Sequence, residues 1–290
     1  MKKNLCALVW IFVALTASGA APSKEIVLLN DNFDMKYLTG GYVGDVQTAS
    51  VQDLPDSACW YASYRSGGNE PDRANLVFSP ETGMTLRFIQ DVNAFNVLAH
   101  FTDDRNAPIT LAVGDSLRLT FTLAVKNPQY KFRSFVIGLL NSHGNPVEQA
   151  YYTSPENPTA AFGGYLVSTS FGGTDSNWAT VIGKRRPTQD NPSLYHSETV
   201  TEEGLTGNFH GPVLNVENGI ATEGSLTITR ISETENAIVF SFNGLELNGS
   251  DTTATFTSFD SVNFSYPGPD SAESLSLHHV KVTLTRNGGD

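Results

Sequence analysis

Three side chains able to do chemistry, Arg87, His100 and Arg118, sit at alternate positions of strand-like runs, opposite the apolar residues of each run. In 116–125, Leu117, Leu119, Phe121, Leu123 and Val125 alternate with Arg118, Thr120 and Thr122. Residues two apart share one face of a strand, so Arg118 belongs to a face turned away from the core. Arg87 stands in the same relation to Met84, Leu86 and Phe88 in 83–90, and His100 to Phe95, Val97, Ala99 and Phe101 in 95–101. Five more candidates fall in two long segments rich in turn-forming residues: Tyr151 and Tyr152 in 142–163, and Trp178, Tyr195 and His196 in 172–212. Long connections inside a compact domain are uncommon and often functional. Aromatic rings beside planar polar groups suit a sugar, which has an apolar ring face and a rim of hydroxyls. Ordinary packing is the competing account of each aromatic. Were an Arg, a His and a Tyr to converge, the same set could supply a lyase with a base and a cation for a uronate.

Other chemistry finds no support, and no catalytic residue is assigned. The chain has no Gly-x-Ser-x-Gly elbow, His-Glu-x-x-His pair, phosphate loop or Rossmann glycine pattern. Glu198, Glu202, Glu203, Glu217 and Glu223 lie in loop-like sequence without the alternate spacing that would set two carboxylates across a glycosidic bond. His278 and His279 are adjacent on a strand, so they are expected on opposite faces with a structural or surface role. Lys184-Arg185-Arg186 reads as a solvated hairpin, with a local anion-binding patch as the alternative. Asp31, Asn32 and Asp34 carry oxygens that suit a structural calcium, although solvation of a strand end is the preferred reading. No other cofactor is implied.

The elements that position these residues are strands. Runs at 132–141, 164–171, 225–231, 237–242, 261–266 and 275–285 join the three above, with shorter ones expected at 178–183 and 193–199. Residues 132–141 are apolar on both sides, which suits a central strand, and Asn243-Gly244 marks a tight hairpin. Such a series, without helical periodicity, repeats or long linkers, predicts one all-β domain, a sandwich or barrel. At the start, Lys2 and Lys3, an apolar run from Leu5 to Leu15 and small residues up to Ala20 form a secretory signal over 1–21, too short in its apolar part to span a membrane. The mature domain is then 22–290, periplasmic or extracellular. Without Cys6 it keeps only Cys59, a small residue expected to be buried beside Trp60, so it must stand without an internal disulfide. The net charge is −12, and more negative once Lys2 and Lys3 are removed. This disfavours nucleic acid and anionic membranes as partners and leaves neutral glycans open.

The chain resembles the concanavalin A-like lectin/glucanase superfamily, which includes laminin-G-like modules, in exported bacterial form. Asn30-Asp31-Asn32-Phe33-Asp34 is similar to an opening strand of that group. The run 117–125, then Phe132-Arg133-Ser134-Phe135-Val136-Ile137-Gly138-Leu139-Leu140-Asn141, then Gly164-Tyr165-Leu166-Val167, follows its strand order, and 275–284 looks like its closing strand. The resemblance implies a jelly-roll β-sandwich of two antiparallel sheets, with first and last strands side by side and ligands meeting the concave sheet. The Glu-x-Asp-x-Glu strand of the glucanases is missing, as are the Arg-rich, Gln-x-His and Tyr-x-Lys-x-Gly strands of the alginate lyases. A noncatalytic, lectin-like glycan binder is therefore the leading expectation. A lyase or hydrolase of unrecognised type and a structural or adhesive envelope protein are the rivals.

Overall fold

The computed structural model describes residues 21–33, 53–66, 74–79, 81–88, 92–102, 107–128, 135–147, 151–152, 158–171, 180–187, 200–266 and 272–288. Two nine-stranded sheets face each other. With strands numbered in chain order, the first sheet runs β13 (Leu205–Asn208), β17 (Leu245–Asp251), β16 (Glu235–Phe242), β15 (Thr222–Ser232), β7 (Ser116–Lys126), β20 (Ser274–Gly288), β4 (Gly83–Phe88) and β3 (Ala74–Ser79), with β1 (Ala21–Asp31) also paired to β20. The second runs β12 (Val200–Thr201), β11 (Thr180–Arg185), β10 (Gly163–Thr169), β8 (Phe135–Asn141), β19 (Ser261–Tyr266), β5 (Val92–His100), β2 (Trp60–Ser66) and β9 (Tyr151–Tyr152), with β14 (His210–Gly211) on β11. β6 (Ile109–Thr110) and β18 (Ser258–Phe259) make a small third sheet. This is the all-β sandwich expected from the sequence. It departs from a purely antiparallel one at β9, which pairs in parallel with β2.

Alternation decides the burial. On β7, Leu117, Leu119, Phe121, Leu123 and Val125 have no exposed surface, while Arg118 is exposed and Thr120 and Thr122 are half-buried. The run that is apolar on both sides, β8, is central in its sheet and buried at every position. Each fully buried Leu, Ile or Phe of this core contributes about 1.5–3 kcal/mol. At Asn243-Gly244 both residues take positive φ (45° and 80°), which turns β16 into β17 with Phe242 opposite Leu245.

β20 is the spine of the first sheet. One edge pairs with β7 along its length. The other meets β4 through Ser274–Leu277 and then β1 from Val280 onward. A bulge between Leu277 and His279 separates these two halves and shifts the alternation by one residue. Leu275 and Leu277 face the core before it; Val280, Val282 and Leu284 do so after it. His278 and His279 thus both fall outside the core register, each half-buried, which corrects the expectation of opposite faces. The bulge abuts Gly83 (φ 65°), where a Cβ would lie 2.2 Å from the Leu277 carbonyl oxygen.

The outer face of the second sheet is closed. Leu98, Val136, Leu140 and Leu166 pack there with Cys59, Tyr61, Val147 and Phe162 as a second apolar cluster. Cys59 is buried, as expected. Among the described residues, no helix is long and apolar enough to cross a membrane.

Candidate functional site

The outer face of the first sheet carries an open groove of about 430 Å³ at the β16–β17 turn. Its position follows from strand register. Ser225 on β15 pairs with Ser241 on β16, and Ser241 with Glu246 on β17. These side chains, with Glu223, Asn243 and Arg118, line the groove. The Ser225 and Ser241 hydroxyls lie 3.0 Å apart in a hydrogen bond, and the Asn243 amide donates to the Asn215 carbonyl at 2.9 Å. Gly224 on the floor is required by packing, since a Cβ there would meet the Phe121 ring at 2.4 Å. A guanidinium, an amide, two carboxylates and two hydroxyls give the groove donors and acceptors together, as a polyhydroxylated ligand needs.

Beyond the groove the same face continues through Thr122 to His279. The His279 Nε2 meets the Asn30 Oδ1 at 3.0 Å. Burial and the Lys281 ammonium lower the His279 pKa, while Asp31 and Glu223 oppose them; burial alone lowers that of His278.

Of the sequence candidates, Arg118 lies in this groove. Arg87 is on β4 of the same sheet, and Tyr151 and Tyr152 form β9. Trp178, Tyr195 and His196 lie outside the described residues, as does the strand expected at 193–199. His100 does point away from the core, but it is on the other sheet and has no exposed surface. Arg118 and His100 therefore do not converge. The covering cluster leaves His100 with a structural task, correcting its expected place at a ligand.

That task can be read from hydrogen-bond polarity. The Val147 backbone N–H donates to Nε2 at 3.1 Å, so Nε2 carries the lone pair and Nδ1 the proton. Nδ1 donates to the Ser261 hydroxyl at 2.9 Å, and that hydroxyl donates to Asp260 Oδ1. Asp260 also accepts from the Ser142 N–H at 3.0 Å and the Ser142 hydroxyl at 2.6 Å. Asp, Ser and His are in contact, but the serine proton points to the carboxylate, not the imidazole. With all three fully buried, this is a lock between strands and not an activated nucleophile.

Both readings of Lys184-Arg185-Arg186 are overturned, because Lys184 and Arg185 on β11 both have zero exposure. Lys184 points between the sheets to Asp251 at 3.0 Å. Arg185 donates to the Phe162 carbonyl. Only Arg186 is exposed, paired with Glu203 at 2.9 Å. Burial pushes the Asp251 carboxyl up, but hydrogen bonds from Thr253, Tyr165 and Lys184 outweigh it and hold the carboxyl at about 2. Desolvation raises the Tyr165 phenol, whose hydroxyl donates to Asp251 at 2.7 Å.

Asp31 does not present itself to a cation. Oδ1 accepts from the Phe33 N–H at 2.7 Å, and Oδ2 from Ala58 N–H and Trp60 Nε1–H at 3.2 and 2.8 Å. Three N–H dipoles aim their positive ends where calcium would sit. Burial raises the Asp31 carboxyl, with those donors opposing it. Asn32 is exposed, and Asp34 is outside the described residues. Among the described residues, no group of three His, Cys, Asp or Glu could hold a metal ion.

Sequence reasoning missed Ser225, Ser241 and Glu246 as partners of Arg118. The Asn243-Gly244 turn held the signal, because a two-residue hairpin fixes which residues of its arms face each other. Glu223, loop-like in sequence, belongs to β15.

No family model matches the chain, and no curated protein matches it. Solved structures similar to it include the potassium-bound carbohydrate recognition domain of Emp46p, at 10% identity and TM-score 0.44 over 77% of this chain and 87% of that one. The lectin from Bauhinia forficata in complex with GalNAc aligns at 13% identity and TM-score 0.40 over 86% and 100%. The VIP36 exoplasmic/lumenal domain, in its Ca2+/Man3GlcNAc-bound form, aligns at 11% and 0.41 over 80% and 84%. At such TM-scores these structures assign neither site nor ligand to this chain, whose fold is read from its own strand pairing.

Proposed function

We propose that the chain is an exported carbohydrate-binding protein that holds a glycan in the Arg118 groove without cleaving it. One observation carries this reading: the groove sets donors and acceptors side by side on an open face. Sugar hydroxyls both donate and accept, and a guanidinium, an amide and carboxylates meet them in fixed planes. A neutral glycan suits the two carboxylates beside one guanidinium better than a polyanion does.

The test is retention of the mature protein on a panel of neutral and uronic-acid polysaccharides, with product analysis alongside. Retention without new reducing ends or unsaturated uronates supports the proposal. Arg118→Ala should weaken retention roughly 10- to 100-fold, the loss of one or two charge-assisted hydrogen bonds. Cleavage products, or equal retention by the variant, would overturn it.

A second reading, a structural or adhesive scaffold, is favoured by the apolar closure of the second sheet over Leu98, Val136, Leu140 and Leu166. It predicts silence across the same panel.

A further inference from the structure

The space between the sheets holds a reactive pair that ligand binding does not use. Lys184 Nζ lies 3.0 Å from Asp251 Oδ1, and both side chains have no exposed surface. The other carboxylate oxygen, Oδ2, accepts from the Tyr165 hydroxyl at 2.7 Å and the Thr255 N–H at 3.1 Å. The Tyr165 and Phe256 rings pack edge to face alongside, with centroids 5.6 Å apart. A primary amine is thus held beside a carboxylate oxygen, and two donors already point at the other oxygen, which would carry negative charge in a tetrahedral intermediate.

We propose that Lys184 and Asp251 condense to an intramolecular amide that staples β11 of one sheet to the end of β17 of the other. The bond between Nζ and Cγ forms, and the bond between Cγ and Oδ1 breaks. Oδ1 leaves as water with two of the three ammonium protons, and the third stays on the amide nitrogen. Oδ2 becomes the amide oxygen, still held by Tyr165 and Thr255. No oxidant or further reactant is needed. The ion pair is the resting form, and the reactive form is its neutral tautomer, reached by passing one proton along the hydrogen bond from Nζ to Oδ1. Burial of both groups lowers the cost of that neutral form, because a dry interior penalises charge. The donors to the carboxylate favour the ion pair, so condensation is slow and follows folding. The staple would close 67 residues of a chain with one cysteine after Cys6, the role disulfides fill in many secreted domains.

The experiment is intact mass spectrometry of the folded mature protein, fresh and after days at neutral and mildly acidic pH, followed by proteolysis. The expected result is a species lighter by one water, which yields a branched peptide joining Lys184 to Asp251. Its fraction should rise with time and at the same rate at both pH values, because the ion pair and its neutral tautomer hold the same protons. Lys184→Arg should stay at full mass, and Asp251→Asn should expel ammonia instead of water. A wild-type protein that keeps its full mass throughout overturns the proposal. So does a loss of ammonia from the wild type that maps to Asn236, which pairs with Asp251 across β16 and β17 and donates its side-chain amide to the Tyr165 hydroxyl at 2.7 Å.

Discussion

Replacing Asp260 by Ala tests whether the lock beside His100 holds strands together. The carboxylate accepts three protons: from the Ser142 N–H, the Ser142 hydroxyl and the Ser261 hydroxyl. Ser142, Asp260 and Ser261 are all buried without exposure. Alanine leaves three donors without an acceptor, at about 1–3 kcal/mol for each one that stays unsatisfied. Two terms reduce the sum. Water can enter the small space vacated, and removal of a buried charge recovers its desolvation cost. A net loss of about 3 kcal/mol follows from the donor count and those offsets. For a domain of this size that lowers Tm by roughly 6–12 °C. Urea unfolding followed by tryptophan fluorescence gives the number directly, with an unchanged slope showing that the unfolded state is the same. Asp260→Asn, which keeps the shape and one acceptor oxygen, should lose less. A change below about 0.5 kcal/mol in the alanine variant, the range of ordinary surface substitutions, would refute the lock.

Other expectations follow from the same structure. Asp251, held at about 2 against an ordinary 3.8, adds stability that is present above pH 3.8 and lost as pH falls toward 2, about 2 kcal/mol in all. Acid titration of unfolding should show this limb in the ion-paired protein, and it should vanish from any fraction in which Asp251 has become an amide. His278 and His279 are both lowered below 6.5, so their contribution is present above that value and lost as pH falls through their folded-state values. A double Gln variant should flatten stability against pH just below 6.5. Gly83→Ala should cost about 2 kcal/mol or more, because Gly83 has positive φ and abuts the bulge of β20. Calorimetric unfolding checks it.

Where one face of a strand is buried and the other is wet, the sequence is easy to read, and on β7 all five apolar residues of the alternation are buried. Two kinds of feature were not legible. The bulge in β20 lies within an alternating run, and the shift in parity from Leu277 to Val280 shows only once the partners on both edges are known. The inward course of Lys184 was hidden because charge is ordinarily read as exposure. Its partner Asp251 is 67 positions away and reaches it only when the two sheets stack. His100 was assigned its face correctly but not its burial, since the alternation within a strand says nothing about what covers that face.

The position of β20 has a consequence for the order of assembly. The first sheet cannot close until Ser274–Gly288 is in place, because among the described residues this is the strand that joins β7 to β1 and β4. β1 therefore waits, with its partner not yet made, until the residues of β20 have been synthesised. Pairing across such a separation is slow to nucleate, and the waiting chain exposes unpaired apolar strands that invite aggregation. Deleting the residues from 272 onward should therefore leave an insoluble or chaperone-bound chain, not a smaller sandwich.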